Sequence, residues 1–82
     1  MKKRGERCNL SDLAVGQKSV VLRLNENNKI VKRHLLDMGI IKGTEIIIKK
    51  IAPMGDPIDI QLRDYELCLR KEELNKIEVE VL

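Results

Sequence analysis

The sequence has no phenylalanine, no tryptophan and a single tyrosine, Tyr65. Single-strand nucleic-acid modules stack bases on aromatic rings, and readers of proline-rich peptides use aromatic-lined grooves. With one ring the chain is equipped for neither, and no nucleic-acid partner is expected. Histidine is as scarce: His34 stands alone, so no Ser/His/Asp or Cys/His set can be drawn and catalysis is set aside. No Cys or His lies at ligand spacing from it, so no metal ligand set and no cofactor are expected. Cys8 and Cys68 belong to no C-x-x-C pair; one disulfide between them is open, but they fit reduced thiols in a cytoplasmic protein better. The basic start, residues 1–7, lacks the apolar region of a secretory leader, and no run approaches the ~20 apolar residues of a membrane span. Gly39-Ile-Ile-Lys-Gly43-Thr44 has the wrong spacing and order for a phosphate-binding loop.

What the chain does have is aliphatic residues and charge. It is 82 residues long, 43% hydrophobic and 35% charged, enough for one domain with a core of Ile, Val and Leu. The net charge of +3 hides an asymmetry: residues 1–50 carry twelve Lys/Arg against five Asp/Glu, and residues 51–82 four against eight. A barrel would interleave the two halves, and the basic excess reads first as solvated surface.

The periodicity changes along the chain. Residues 1–9 are polar and read as a flexible tail preceding a domain over 10–82. Leu10-Ser-Asp-Leu13 reads as a helical turn, with Ser11 or Asp12 available to accept from free N–H groups and Gly16 ending it. Val20, Leu22 and Leu24 place one face on a first strand. Ile30, Val31, Leu35 and Met38 then recur at helical spacing, with Asn27 or Asn28 as N-cap and Gly39 as the left-handed C-terminal residue. Thr44 to Ile51, Ile58 to Leu62, Leu67 to Leu69 and Ile77 to Val81 read as strands, with a hairpin turn at Arg63-Asp-Tyr65 and a helical turn at 70–74. Five short strands with one inserted helix predict an all-β fold, a small closed barrel.

Three features are candidates for contact with another molecule. Lys29, Lys32 and Arg33 give the helix a basic outer face, although charge on a helix usually means solvent, and Asp37 is placed to pair with Arg33. Ala52-Pro-Met-Gly55 fits a type I turn, and Pro57 should start its strand. Within that segment only Met54 lacks a geometric reason, and an apolar side chain at a loop tip suits a partner surface.

The segments Leu10-Ser-Asp-Leu-Ala-Val-Gly16, Arg33-His-Leu-Leu-Asp-Met-Gly-Ile40, Ala52-Pro-Met-Gly-Asp-Pro-Ile58 and Leu67-Cys-Leu-Arg-Lys71 together resemble the FeoA family. The chain departs from that pattern at His34, where the family often has a long side chain, and at Arg63-Asp64, where arginine-glycine is frequent. The resemblance implies an SH3-like five-stranded barrel that docks on the cytoplasmic, GTPase-containing region of the FeoB ferrous transporter and modulates it. The contact residues would be Lys29, Lys32, Arg33 and Met54, on a monomer or weak dimer that meets the membrane only through its partner. The same module closes iron-dependent DtxR-type repressors. That leaves a nucleic-acid-associated barrel or a transition-metal sensor as alternatives.

Overall fold

The structure is a computed structural model describing residues 1–82. Six strands form one antiparallel sheet: β1 (Arg7–Asn9), β2 (Lys18–Leu24), β3 (Glu45–Ile51), β4 (Ile58–Leu62), β5 (Tyr65–Leu69) and β6 (Ile77–Val81). Helix α1 (Lys29–Asp37) is inserted between β2 and β3, and the short α2 (Lys71–Leu74) lies between β5 and β6. The strands are ordered β1-β6-β2-β3-β4-β5, so the C-terminal strand runs between the two N-terminal ones. This arrangement sets basic residues of the N-terminal half against acidic residues of the C-terminal strand. Arg7 pairs with Glu80 at 3.8 Å and Arg23 with Glu78 at 3.2 Å.

The core is wholly aliphatic, fifteen buried Leu, Ile and Val residues drawn from every part of the fold except β1. β4 and β6 alternate without interruption: Ile58, Ile60 and Leu62 face in, as do Ile77, Val79 and Val81. β2 and β3 each carry a bulge. Leu22 is the extra residue opposite β6, between the Val21–Val79 and Arg23–Glu78 pairs, and Lys49 the extra residue opposite β4. A bulge shifts the side-chain phase by one and sharpens the strand's twist. Inward residues therefore run Ser19, Val21, Leu24 in β2 and Ile46, Ile48, Ile51 in β3. The expected face of Val20, Leu22 and Leu24 is thus split. Val20 and Leu22 lie half-buried on the outside, and only Leu24 packs on the core. Ser19, fully buried, satisfies its hydroxyl by donating to the Ile46 carbonyl at 3.4 Å.

The sequence reading also missed a strand. Arg7–Asn9, assigned to the tail, pair with β6 in register Arg7–Glu80, Cys8–Val79, Asn9–Glu78, so the sheet has six strands rather than five. A turn of 3₁₀ helix follows at Leu10–Asp12. There the Asp12 carboxylate accepts from the Asn9 N–H at 3.2 Å, while the Ser11 hydroxyl bonds instead to Asn75 beside α2.

The turn at Ala52–Gly55 follows sequence chemistry closely. The Gly55 N–H donates to the Ala52 carbonyl at 2.7 Å, closing the turn around Pro53 and Met54. The Asp56–Pro57 peptide is cis, and β4 starts directly after Pro57. Asp56 has a further role: its carboxylate accepts from the Lys71 N–H at 2.8 Å, at the start of α2. The β4–β5 hairpin turns in two residues, since Leu62 pairs with Tyr65, and Arg63 adopts a positive φ of 47° there.

Candidate functional site

Helix α1 begins where the Asn28 side-chain oxygen accepts from the N–H groups of Ile30 at 2.9 Å and Val31 at 3.2 Å. It ends in a Schellman motif. The Gly39 N–H reaches the Leu36 carbonyl at 3.0 Å and the Ile40 N–H reaches the Leu35 carbonyl at 3.1 Å, with Gly39 at φ +93°. Leu35 and Ile40, the apolar pair that accompanies this motif, are both fully buried. Tyr65, the lone aromatic, donates its hydroxyl to the Met38 carbonyl at 2.6 Å, tying the helix end to the start of β5.

Only a narrow stripe of α1 meets the barrel. Leu35 is buried, and Val31 and Met38 are half-buried. At about 100° per residue these three fall within roughly 60° of one another, whereas Ile30 lies about 140° from Leu35. Helical spacing alone grouped Ile30 with the core residues. In the structure it is 82% exposed. Ile30 shares a shallow surface depression of about 420 Å³ with Lys29, Arg33, His34 and Asp37. Arg33 is paired with Asp37 at 3.1 Å across one turn. Lys32 is exposed on the flank of the same helix, next to Leu36 on the wheel and outside the depression. Neither Lys29 nor Lys32 has a carboxylate within ion-pair distance; the five pairs of the molecule involve other cations.

Met54 is 95% exposed, as its loop position suggests, but the fold sets it apart from the helix. Tyr65, at one end of the β4–β5 hairpin, touches the C-terminus of α1, while the Met54 loop joins β3 to β4 at the hairpin's other end. Five strand residues, about 17 Å, separate the two ends. The candidate residues therefore occupy two places: Lys29, Lys32 and Arg33 on one helix, and Met54 elsewhere. Ile30 is the exposed apolar residue of this helix that sequence reasoning overlooked, and its wrong phase relative to Leu35 was the signal available.

A second depression, about 370 Å³, crosses the outer face of β2, β3 and β4 and is lined by Lys18, Gly43, Thr44, Glu45, Ile47, Gln61 and Arg63. Lys18 and Glu45 are paired across it at 3.7 Å. The thiols are not activated. Burial, then the Asp12 carboxylate, pushes Cys8 up from its ordinary value. Cys68 faces outward on β5, and the Asp59 carboxylate opposite it on β4 pushes its thiol up from the ordinary value. Both cysteines are free, and no three His, Cys, Asp or Glu residues gather as metal ligands.

The family model for the FeoA domain matches residues 8–81. An iron(II) transport protein A and transporter B fusion protein of Porphyromonas gingivalis is 36% identical over 73 residues; the match covers 89% of this chain, which spans only 8% of that protein. An FeoA-like protein from Clostridium acetobutylicum is 43% identical, with a TM-score of 0.83 over 99% of this chain and 91% of that one. The FeoA of Stenotrophomonas maltophilia, solved with zinc and described as a prokaryotic SH3 domain protein, is 27% identical, with a TM-score of 0.77 over 88% of each chain. The expected SH3-like architecture is therefore the observed one, extended by β1.

Proposed function

Because this chain belongs to the FeoA domain family, whose setting is ferrous iron transport, we propose that it is a non-enzymatic accessory protein that docks on the cytoplasmic, GTPase-containing region of an FeoB-type transporter and modulates it. The observation that carries this reading is the Porphyromonas gingivalis protein, in which a segment similar to nearly the whole of this chain is joined to an FeoB transporter. Fusion holds two modules at high effective concentration, an arrangement suited to modules that work in contact. No helix of this chain is long and apolar enough to cross a membrane.

The basic helix, Lys29, Lys32 and Arg33, is the proposed main contact, with Met54 as a second, separate element. The test is a pull-down of transporter fragments with and without guanine nucleotide, repeated with Lys32→Glu/Arg33→Glu, alongside ferrous uptake in cells. Retention of the cytoplasmic fragment by the wild-type chain supports docking. Failure to retain any fragment in either nucleotide state refutes it, and unchanged binding and uptake in the double variant refutes the residue assignment.

A further inference from the structure

Five of the sixteen lysines and arginines are held in ion pairs. The strand arginines Arg7 and Arg23 are each paired with a glutamate of β6, and Lys18 is paired with Glu45. On α1 unpaired cations stand beside an exposed aliphatic side chain. Lys29 and Lys32 have no acidic partner, and the helix's one carboxylate, Asp37, is already held by Arg33. Beside Lys29 and Arg33 in the depression stands Ile30, 82% exposed, while Leu36, 37% exposed, lies on the opposite flank next to Lys32. Neither is needed for the core, which Leu35 reaches from the other side of the helix.

We propose that this outward face of α1, with Ile30 as its apolar anchor, is a docking surface for an acidic segment of the transporter's cytoplasmic region that presents an aliphatic side chain. The proposal rests on the docking reading above and adds the chemistry of the partner. Charge complementarity selects an acidic segment, because unpaired lysines gain an ion partner at an interface rim without breaking an internal pair. Ile30 selects an apolar contact, since burying a side chain of that size removes one of the largest exposed aliphatic surfaces on the molecule.

A membrane surface fits less well. The exposed aliphatics Ile30 and Leu36 lie about 120° apart around the helix with Arg33 between them, so no continuous apolar stripe can sink into lipid. A nucleic acid fits less well again. No aromatic ring lies on this face, and Asp37 would meet the phosphates.

Binding of the full chain to the purified cytoplasmic region of the transporter is to be measured by calorimetry for the wild type, Ile30→Ser, Lys29→Glu/Lys32→Glu, and Lys49→Glu as a charge control on β3. Thermal melts are to be run on each to establish that the fold is intact. The expected result is a loss of about tenfold or more for Ile30→Ser and for the lysine pair, with Lys49→Glu within about twofold of wild type. Added salt should weaken the wild type more than the lysine variant. Wild-type binding that survives both α1 changes overturns this proposal and leaves the docking reading standing. No wild-type binding overturns the docking reading, and this proposal with it. The same variants are to be tested on vesicles containing anionic lipid, on duplex DNA and for self-association. Selective loss of any of these with transporter binding intact assigns the face to that partner and also overturns the proposal.

Discussion

Replacing Gly39 with alanine probes the junction between helix and barrel. At φ +93° an L-residue is strained by about 1–2 kcal/mol. The new methyl would also overlap the Tyr65 hydroxyl oxygen, so the ring must move and give up its bond to the Met38 carbonyl, a loss of about 1 kcal/mol. Against this, alanine restricts the unfolded chain and returns about 0.4–1 kcal/mol. The net expectation is a destabilisation of about 2 kcal/mol, or roughly 8–16 °C in Tm for a domain of this size. The informative variant is the double one. Tyr65→Phe removes the obstructing oxygen, and the ring carbon Cζ stays in ordinary contact at 3.5 Å. Gly39→Ala should therefore cost about 1 kcal/mol less in the Tyr65→Phe background than in the wild type. Urea denaturation of the four proteins, followed by far-UV circular dichroism, measures that coupling. Strict additivity would refute the claim that the hydroxyl is what the methyl meets.

Two further predictions follow from local geometry. Arg63→Gly should raise stability by about 0.5 kcal/mol, because a two-residue hairpin turn with positive φ at its first position suits glycine; a lower urea midpoint would contradict this. Asp59→Asn should speed alkylation of Cys68 by iodoacetamide at pH 8, since the carboxylate is what pushes that exposed thiol up. An unchanged rate would sink that account. With both thiols raised in the fold, their contribution to stability is complete below the ordinary thiol value and is lost as pH climbs from there through the raised folded values, because the unfolded chain ionises first.

The features legible in the sequence were those written into neighbouring residues. Asn28 and Gly39 bound α1 because caps act within a few positions, and Ala52-Pro-Met-Gly55 makes its turn by its own backbone preferences. β4 and β6 alternate cleanly and were read correctly. What escaped depends on distant partners. β1 is three residues without an apolar alternation, and it becomes a strand only because β6 offers a free edge some seventy residues later. Leu24 turns inward, out of phase with Val20 and Leu22, because β2 bulges against β6, an event with no glycine or proline to mark it. The candidate contact residues were legible as chemistry but not as a surface. Nothing local to Met54 says that β4 carries it away from the helix, and Ile30 was grouped with the core because its spacing was matched without its angle. Its exposure follows from how α1 is held, by Leu35 and the Tyr65 bond on one narrow side.

The scarcity of aromatic rings gives that Tyr65 bond an optical meaning. With no tryptophan and no second tyrosine, the side-chain absorbance near 280 nm and the fluorescence it excites come from the ring whose hydroxyl holds the end of α1. Any partner, ligand or denaturant that lifts the helix end must change that one signal. The wild-type protein thus carries its own label at the hinge between the proposed docking helix and the barrel, and a titration followed by tyrosine fluorescence reports on that joint without an added dye.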